Sequence, residues 1–117
     1  MKKESKGFGS YFFFSIMKGM EIMFEKIFDK DSVKWSDDTQ FNLLVIDGAL
    51  NYANRMLARR GWISLNDVYT LLGFPLEIEA QIIGWKIGTC GDFVKFECIE
   101  DGSDQIKIIF KNTVKLI

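Results

Sequence analysis

The sequence predicts an α+β domain in which helices come first and a small antiparallel β-sheet follows, an element order like that of a winged helix. Three observations carry this. Apolar residues recur every three or four positions through the first two thirds of the chain. The period then changes to two beyond Trp85. Capping and turn residues stand where one pattern stops and the next begins, at Ser36–Asp38, Ser64, Gly73 and Asp101–Gly102.

The first element is predicted over residues 1–28. Phe13, Ile16, Met17, Met20, Phe24, Ile27 and Phe28 make an apolar stripe, with Lys18, Glu21, Glu25 and Lys26 elsewhere on the wheel. This amphipathic helix packs on the domain or on a second copy of itself, and Phe13, Met17, Met20 and Phe24 are the candidates for self-association into a homodimer. Gly7 to Met17 is uncharged but well short of the about 20 residues that a membrane span needs. No small-x-small cleavage site follows, which argues against a secretory leader and for a cytoplasmic protein. An interfacial helix stays open as a lesser reading, because Phe12, Phe13 and Phe14 lie among lysines.

Residues 29–38 form an acidic connection, and residues 39–117 a single α+β domain. A long helix begins with a capping box from Asp37 to Gln40, or with Ser36 as the cap. Phe41, Leu44, Val45, Ala49, Tyr52, Ala53, Met56 and Leu57 follow at helical spacing, and Gly61 stands at the left-handed stop. Leu43, Ile46 and Leu50 make the helix apolar nearly all round, which predicts a central position in the core. Trp62–Ile63 is extended. Ser64 and Asp67 then cap a two-turn helix with Leu65, Val68, Tyr69 and Leu72 on one face, and Gly73-Phe74-Pro75 breaks it. Pro75 fits the first position of a third helix carrying Ile78 and Ile82 and ending at Gly84. Val94, Phe96 and Cys98 alternate with Lys95 and Glu97. After the Asp101–Gly102 turn, Ile106, Ile108 and Phe110 do the same, and Val114 to Ile117 adds a last short strand.

Composition removes several functions. The 117 residues contain no histidine, so Ser-His-Asp and Cys-His catalysis and Cys2His2 zinc are excluded. Cys90 and Cys98 are too few for a structural zinc site; a disulfide across a hairpin is geometrically conceivable, but buried free thiols are the expectation. Gly7-Phe8-Gly9-Ser10 lacks the lysine of a phosphate loop, and Glu77 and Glu79, two apart on a helix, cannot face each other. The expectation is a non-enzymatic protein with no catalytic residue, metal or cofactor.

The net charge of −1 conceals an uneven distribution: +2 over residues 1–28, −3 over 29–47, +3 over 48–60, −3 over 61–83 and zero over 84–117. Arg55, Arg59 and Arg60 close the long helix, where cations offset the dipole or meet an anionic partner. The helix that would enter a DNA groove carries Glu77 and Glu79 and no lysine or arginine, and the hairpin tip carries Asp101 and Asp104. That argues against nucleic acid, since phosphate contacts need cations. It favours binding of a host or phage protein with a basic surface through the acidic residues. The alternative is a winged-helix DNA-binding regulator that uses Arg55, Arg59 and Arg60.

Leu65-Asn66-Asp67-Val68-Tyr69, Leu71-Leu72-Gly73, Pro75, Ile83-Gly84-Trp85 and Gly91-Asp92-Phe93 together resemble a family of small proteins carried by phages and mobile elements of Gram-positive bacteria. The resemblance covers roughly residues 40–110 and transfers no catalytic residue. It implies a protein that acts by binding, and inhibitors of host defence of the anti-CRISPR type are one such class.

Overall fold

The computed structural model describes residues 24–100 and 104–117. The predicted helix over residues 1–28 falls mostly outside them, and so do Phe13, Met17, Met20 and Asp101. Its last part is not helical: Phe24–Asp29 is a strand, β1. Residues four apart share one side of a strand as well as one side of a helix, so Phe24 and Phe28 satisfy both periods. Pairing decides between them. β1 lies antiparallel to a strand near the other end of the chain, Gln105–Lys111, with Phe24 opposite Phe110 and Phe28 opposite Ile106. The chain therefore opens its described part with a strand, and the expected order of helices then sheet is corrected to strand, helix, strand, helix and strands.

The long helix, α1, spans Thr39–Arg60. Asp38 is its cap, one residue later than the box predicted at Asp37: the Asp38 carboxylate accepts from the Gln40 and Phe41 N–H groups. Gly61 ends the helix at φ 87°, and its N–H donates to the Leu57 carbonyl, as the sequence predicts. Trp62–Ser64 is β2. Leu65–Leu72 is α2, with the Ser64–Asp67 capping box complete in both directions.

The third helix does not form. In its place stand irregular backbone and a single 3-10 turn at Glu79–Gln81, followed by β3 at Ile83–Lys86. The reason is visible in the hydrogen bonds. Asn66 accepts from the Glu77 N–H and donates to the Glu77 carbonyl, at 2.9 and 2.8 Å, which removes both groups from any helical ladder. With Ile78 pointing outward and 90% exposed, no apolar face holds the segment as a helix. Gly84 is a strand residue, not a helix stop. A Cβ there would lie 2.0 Å from the Ile63 carbonyl oxygen, so only glycine lets β2 and β3 approach this closely.

The C-terminal hairpin forms as read, from β4 (Lys95–Glu100) and β5 (Gln105–Lys111), and Val114–Lys115 is β6. Two three-stranded antiparallel sheets result, in the orders β1-β5-β4 and β2-β3-β6. Trp85 of β3 joins them: its indole N–H donates to the Lys111 carbonyl at 2.8 Å, and its ring meets Phe110 edge-on. Phe110 also packs against Tyr69 and Phe96, and the contact run continues from Tyr69 through Phe74 and Phe28 to Trp35. Phe24, Phe28, Phe74 and Phe110 are thus core rings, and each edge-on pair adds about 0.5–1.5 kcal/mol to plain burial.

Candidate functional site

α1 lies on the core by one stripe only. Asn42, Ile46, Ala49, Ala53 and Leu57 are buried, and the helix is not the central one that its all-round apolar sequence predicts. Its opposite side is open. Phe41, Gly48, Tyr52, Arg55 and Arg59 follow at helical spacing along it, all exposed, with Leu44 beside them at 66% exposure. The Arg55 guanidinium sits over the Tyr52 ring, 5.7 Å from its centroid. The structure therefore puts Arg55 and Arg59 on one face, at the end of an apolar row.

Arg60 belongs elsewhere. Its guanidinium stacks 4.2 Å from the Trp62 ring centroid, pairs with Asp67 at 2.8 Å and donates to the Trp62 carbonyl. Those contacts lock the turn from α1 into β2.

Between the open side and the core, α1 and β4 enclose a groove of about 570 Å³ lined by Leu43, Leu44, Asp47, Leu50, Phe96 and Cys98. Asn54 ties the helix to the residue before β4 by donating to the Val94 carbonyl and accepting from the Val94 N–H, at 3.1 and 2.8 Å. Asn42 does the same for Ser36 at the start of the helix, with both distances 2.8 Å. With Asn66 on Glu77, three asparagine amides each hold both backbone groups of one distant residue. Sequence reading passes over them, because an asparagine within a helical pattern carries no signal of the partner it will find. The only hint is that Asn42 and Asn66 occupy apolar-face positions.

Cys90 and Cys98 are free and exposed, correcting the expectation of buried thiols. The Cys98 side chain nonetheless faces the groove wall, and desolvation there, together with the nearby Glu100 carboxylate, pushes its thiol up from the ordinary value.

The acidic candidates separate. Glu77 is paired with the Lys26 ammonium, which also lies over the Tyr69 ring at 5.1 Å. Burial, and then the carboxylates of Glu77 and Glu79, push the Tyr69 phenol well above its usual range. Glu79 lies in the 3-10 turn and Asp104 before β5, both exposed. Phe24, expected to help self-association, is 1% exposed within its own sheet and offers nothing to a second copy. Among the described residues no group of three or more His, Cys, Asp or Glu could hold a metal ion, and no helix is long and apolar enough to cross a membrane.

What the described residues define is a small α+β domain of two linked antiparallel sheets, with one helix face and one groove left open. The chain belongs to DUF6353, a family of unknown function, whose profile matches residues 10–116. No curated protein and no solved structure matches it.

Proposed function

We propose that this protein acts by binding another protein through the open side of α1, without chemistry of its own. The observation that carries this is the exposed row Phe41, Leu44 and Tyr52, continued by Arg55 and Arg59, on the longest element of the fold. Aromatic and arginine side chains are the types that dominate binding energy at interfaces, and a rigid helix presents them at little entropic cost. A partner suited to this face offers an apolar groove with acidic groups at one end. The acidic residues support a basic partner less well, because Glu77 is already neutralised by Lys26. The DNA-binding alternative loses support for similar reasons: the segment expected to read a groove is not a helix, and Arg60 is held by Trp62 and Asp67. Blocking a host defence protein, the role implied by the resemblance to mobile-element proteins, is one use such a face would serve.

The test is comparative capture from host lysate by the wild type, by Phe41→Asp with Tyr52→Asp, and by Arg55→Glu with Arg59→Glu. All four positions are exposed, so the variants keep the fold. A retained protein whose amount falls about tenfold or more in either variant supports the reading. Equal capture by all three proteins defeats it.

A further inference from the structure

β4 is an edge strand of the sheet β1-β5-β4, and the ladder shows which of its backbone groups are open. In an antiparallel ladder the N–H and C=O of one residue point to one side, and those of the next residue to the other. At the opposite edge the Asp29 carbonyl accepts from the Ser32 N–H at 2.8 Å and the Asp29 N–H donates to the Ser32 hydroxyl at 3.3 Å, so Asp29 of β1 points away from β5. Phe24, Lys26 and Phe28 therefore bond β5 at Phe110, Ile108 and Ile106, which leaves Lys107, Ile109 and Lys111 for β4. Their partners there are Ile99, Glu97 and Lys95. Phe96, Cys98 and Glu100 then point outward, in phase with Val94, whose N–H and C=O are both taken by Asn54. Asp29 and Val94, on opposite edges, give the same parity. None of the described residues supplies a partner to the outward groups of Phe96, Cys98 or Glu100. No proline, glycine or bulge interrupts the strand to blunt this edge.

We propose that β4 pairs antiparallel with β4 of a second copy about a two-fold axis through Cys98, joining the two three-stranded sheets into one continuous sheet. Geometry selects this occupant and this register. The open stretch is symmetric, because Cys98 lies midway between Phe96 and Glu100 and Val94 is already closed by Asn54. Centred on Cys98, the pairing sets Cys98 against Cys98 and Phe96 against Glu100 on both sides of the axis, so every open residue exchanges both its backbone groups with another open residue. A register slipped by two residues either way leaves one open residue of each copy without a counterpart. The slip toward Lys95 also sets Glu97 directly against Glu97, a like-charged pair that opposes it. In the centred register Glu97 lies opposite Ile99, which is 41% exposed in the single chain, and Lys111 already stands 3.1 Å from Glu97. Charge therefore favours the centred pairing.

The full chain is followed by analytical ultracentrifugation and by residue-resolved amide hydrogen exchange between about 30 and about 600 μM, a range that spans a weak interface. A monomer–dimer equilibrium without larger species is expected. Exchange at Phe96, Cys98 and Glu100 slows in proportion to the dimer fraction, whereas Lys95, Glu97 and Ile99, which bond β5, are protected alike at every concentration. Cys98→Pro removes one outward N–H and leaves the bonds to β5 in place, so it is expected to weaken self-association about tenfold or more, while Cys98→Ser, which keeps the N–H, associates like the wild type. If Cys98→Pro fails to fold, the alternating exchange pattern decides. A chain that stays monomeric throughout overturns the proposal. So does protection of Phe96, Cys98 and Glu100 that is independent of concentration, since the edge is then covered within one chain. A dimer that persists in folded Cys98→Pro, or growth beyond the dimer, overturns it as well, because the contact is then elsewhere or does not close. Phe96, Cys98 and Glu100 are not among the α1 residues on which the proposed function rests, so this experiment and the capture experiment fail separately.

Discussion

Asn42 is the residue through which the acidic connection is fastened to α1, and its replacement has a calculable effect. The side chain is fully buried, donates to the Ser36 carbonyl and accepts from the Ser36 N–H, both at 2.8 Å. Two such bonds contribute about 1 kcal/mol each. Asn42→Ala removes both, leaves two backbone groups of a half-buried residue to partial hydration, and opens a small void, for a total of about 3 kcal/mol. In a domain of this size that is a melting point lower by roughly 10 °C. Asn42→Asp keeps the shape but changes the chemistry. An ionised carboxylate still accepts from the Ser36 N–H yet meets the carbonyl oxygen with no proton to donate, so the folded state holds the proton more tightly than the unfolded chain does. The acid's folded pKa is raised, and the sign follows: stability is present at low pH and lost as pH rises through that value. Urea unfolding followed by tryptophan fluorescence, at pH 7 and pH 4, reads both effects with the slope unchanged. Asn42→Asp is expected to be about 3 kcal/mol less stable than wild type at pH 7 and to recover most of the difference at pH 4. A loss below about 0.5 kcal/mol for Asn42→Ala, within the range of a plain surface change, refutes the reasoning. So does a pH-independent gap for Asn42→Asp.

Other consequences are as direct. Gly84→Ala forces β2 from β3 and is expected to cost more than about 3 kcal/mol, whereas Gly48→Ala, with open space around it in an exposed helix interior, gains about 0.5–1 kcal/mol; thermal melts of the pair show opposite shifts. Phe110→Ala is expected to cost about 4 kcal/mol, since it removes the ring that Tyr69, Trp85 and Phe96 all touch, and chemical unfolding would show an m-value close to wild type. Tyr69 must stay protonated while folded, so its contribution is complete below the ordinary tyrosine value of about 10 and is lost as pH rises above it; Tyr69→Phe flattens that alkaline decline, and an unchanged decline contradicts the assignment. The raised Cys98 thiol predicts, in a Cys90→Ser background, alkylation that continues to accelerate with pH beyond about 8.5, the ordinary thiol value, and a rate that levels off there contradicts the assignment.

The parts of the fold that were legible are those whose signals are local. Ser64 and Asp67 three apart, Gly73 behind Leu72, and alternation on both sides of the hairpin turn define α2, β4 and β5 without reference to anything distant. Two segments were illegible for two different reasons. Phe24 and Phe28 fit a helix and a strand equally, and only the edge of β5 selects the strand. Leu76–Ile83 reads as a helix until the Asn66 amide takes the backbone of Glu77, a contact that depends on α2 already being in place. The candidate site divides likewise. The shared face of Arg55 and Arg59 follows from spacing alone, whereas the loss of Arg60 to Trp62 and Asp67 follows from a turn whose direction no pattern encodes.

The pairing of β1 with β5 also sets an order of events during synthesis. Phe24 and Phe28 leave the ribosome first among the described residues, yet the strand that covers them is among the last to be made. Until residue 111 has emerged, two large rings and two bare strand edges are held in a nascent chain with nothing to satisfy them. A stalled or prematurely ended chain that lacks residues 105–111 is therefore an adhesive fragment rather than a partly working protein, and the cell is expected to remove it by proteolysis or to collect it as aggregate.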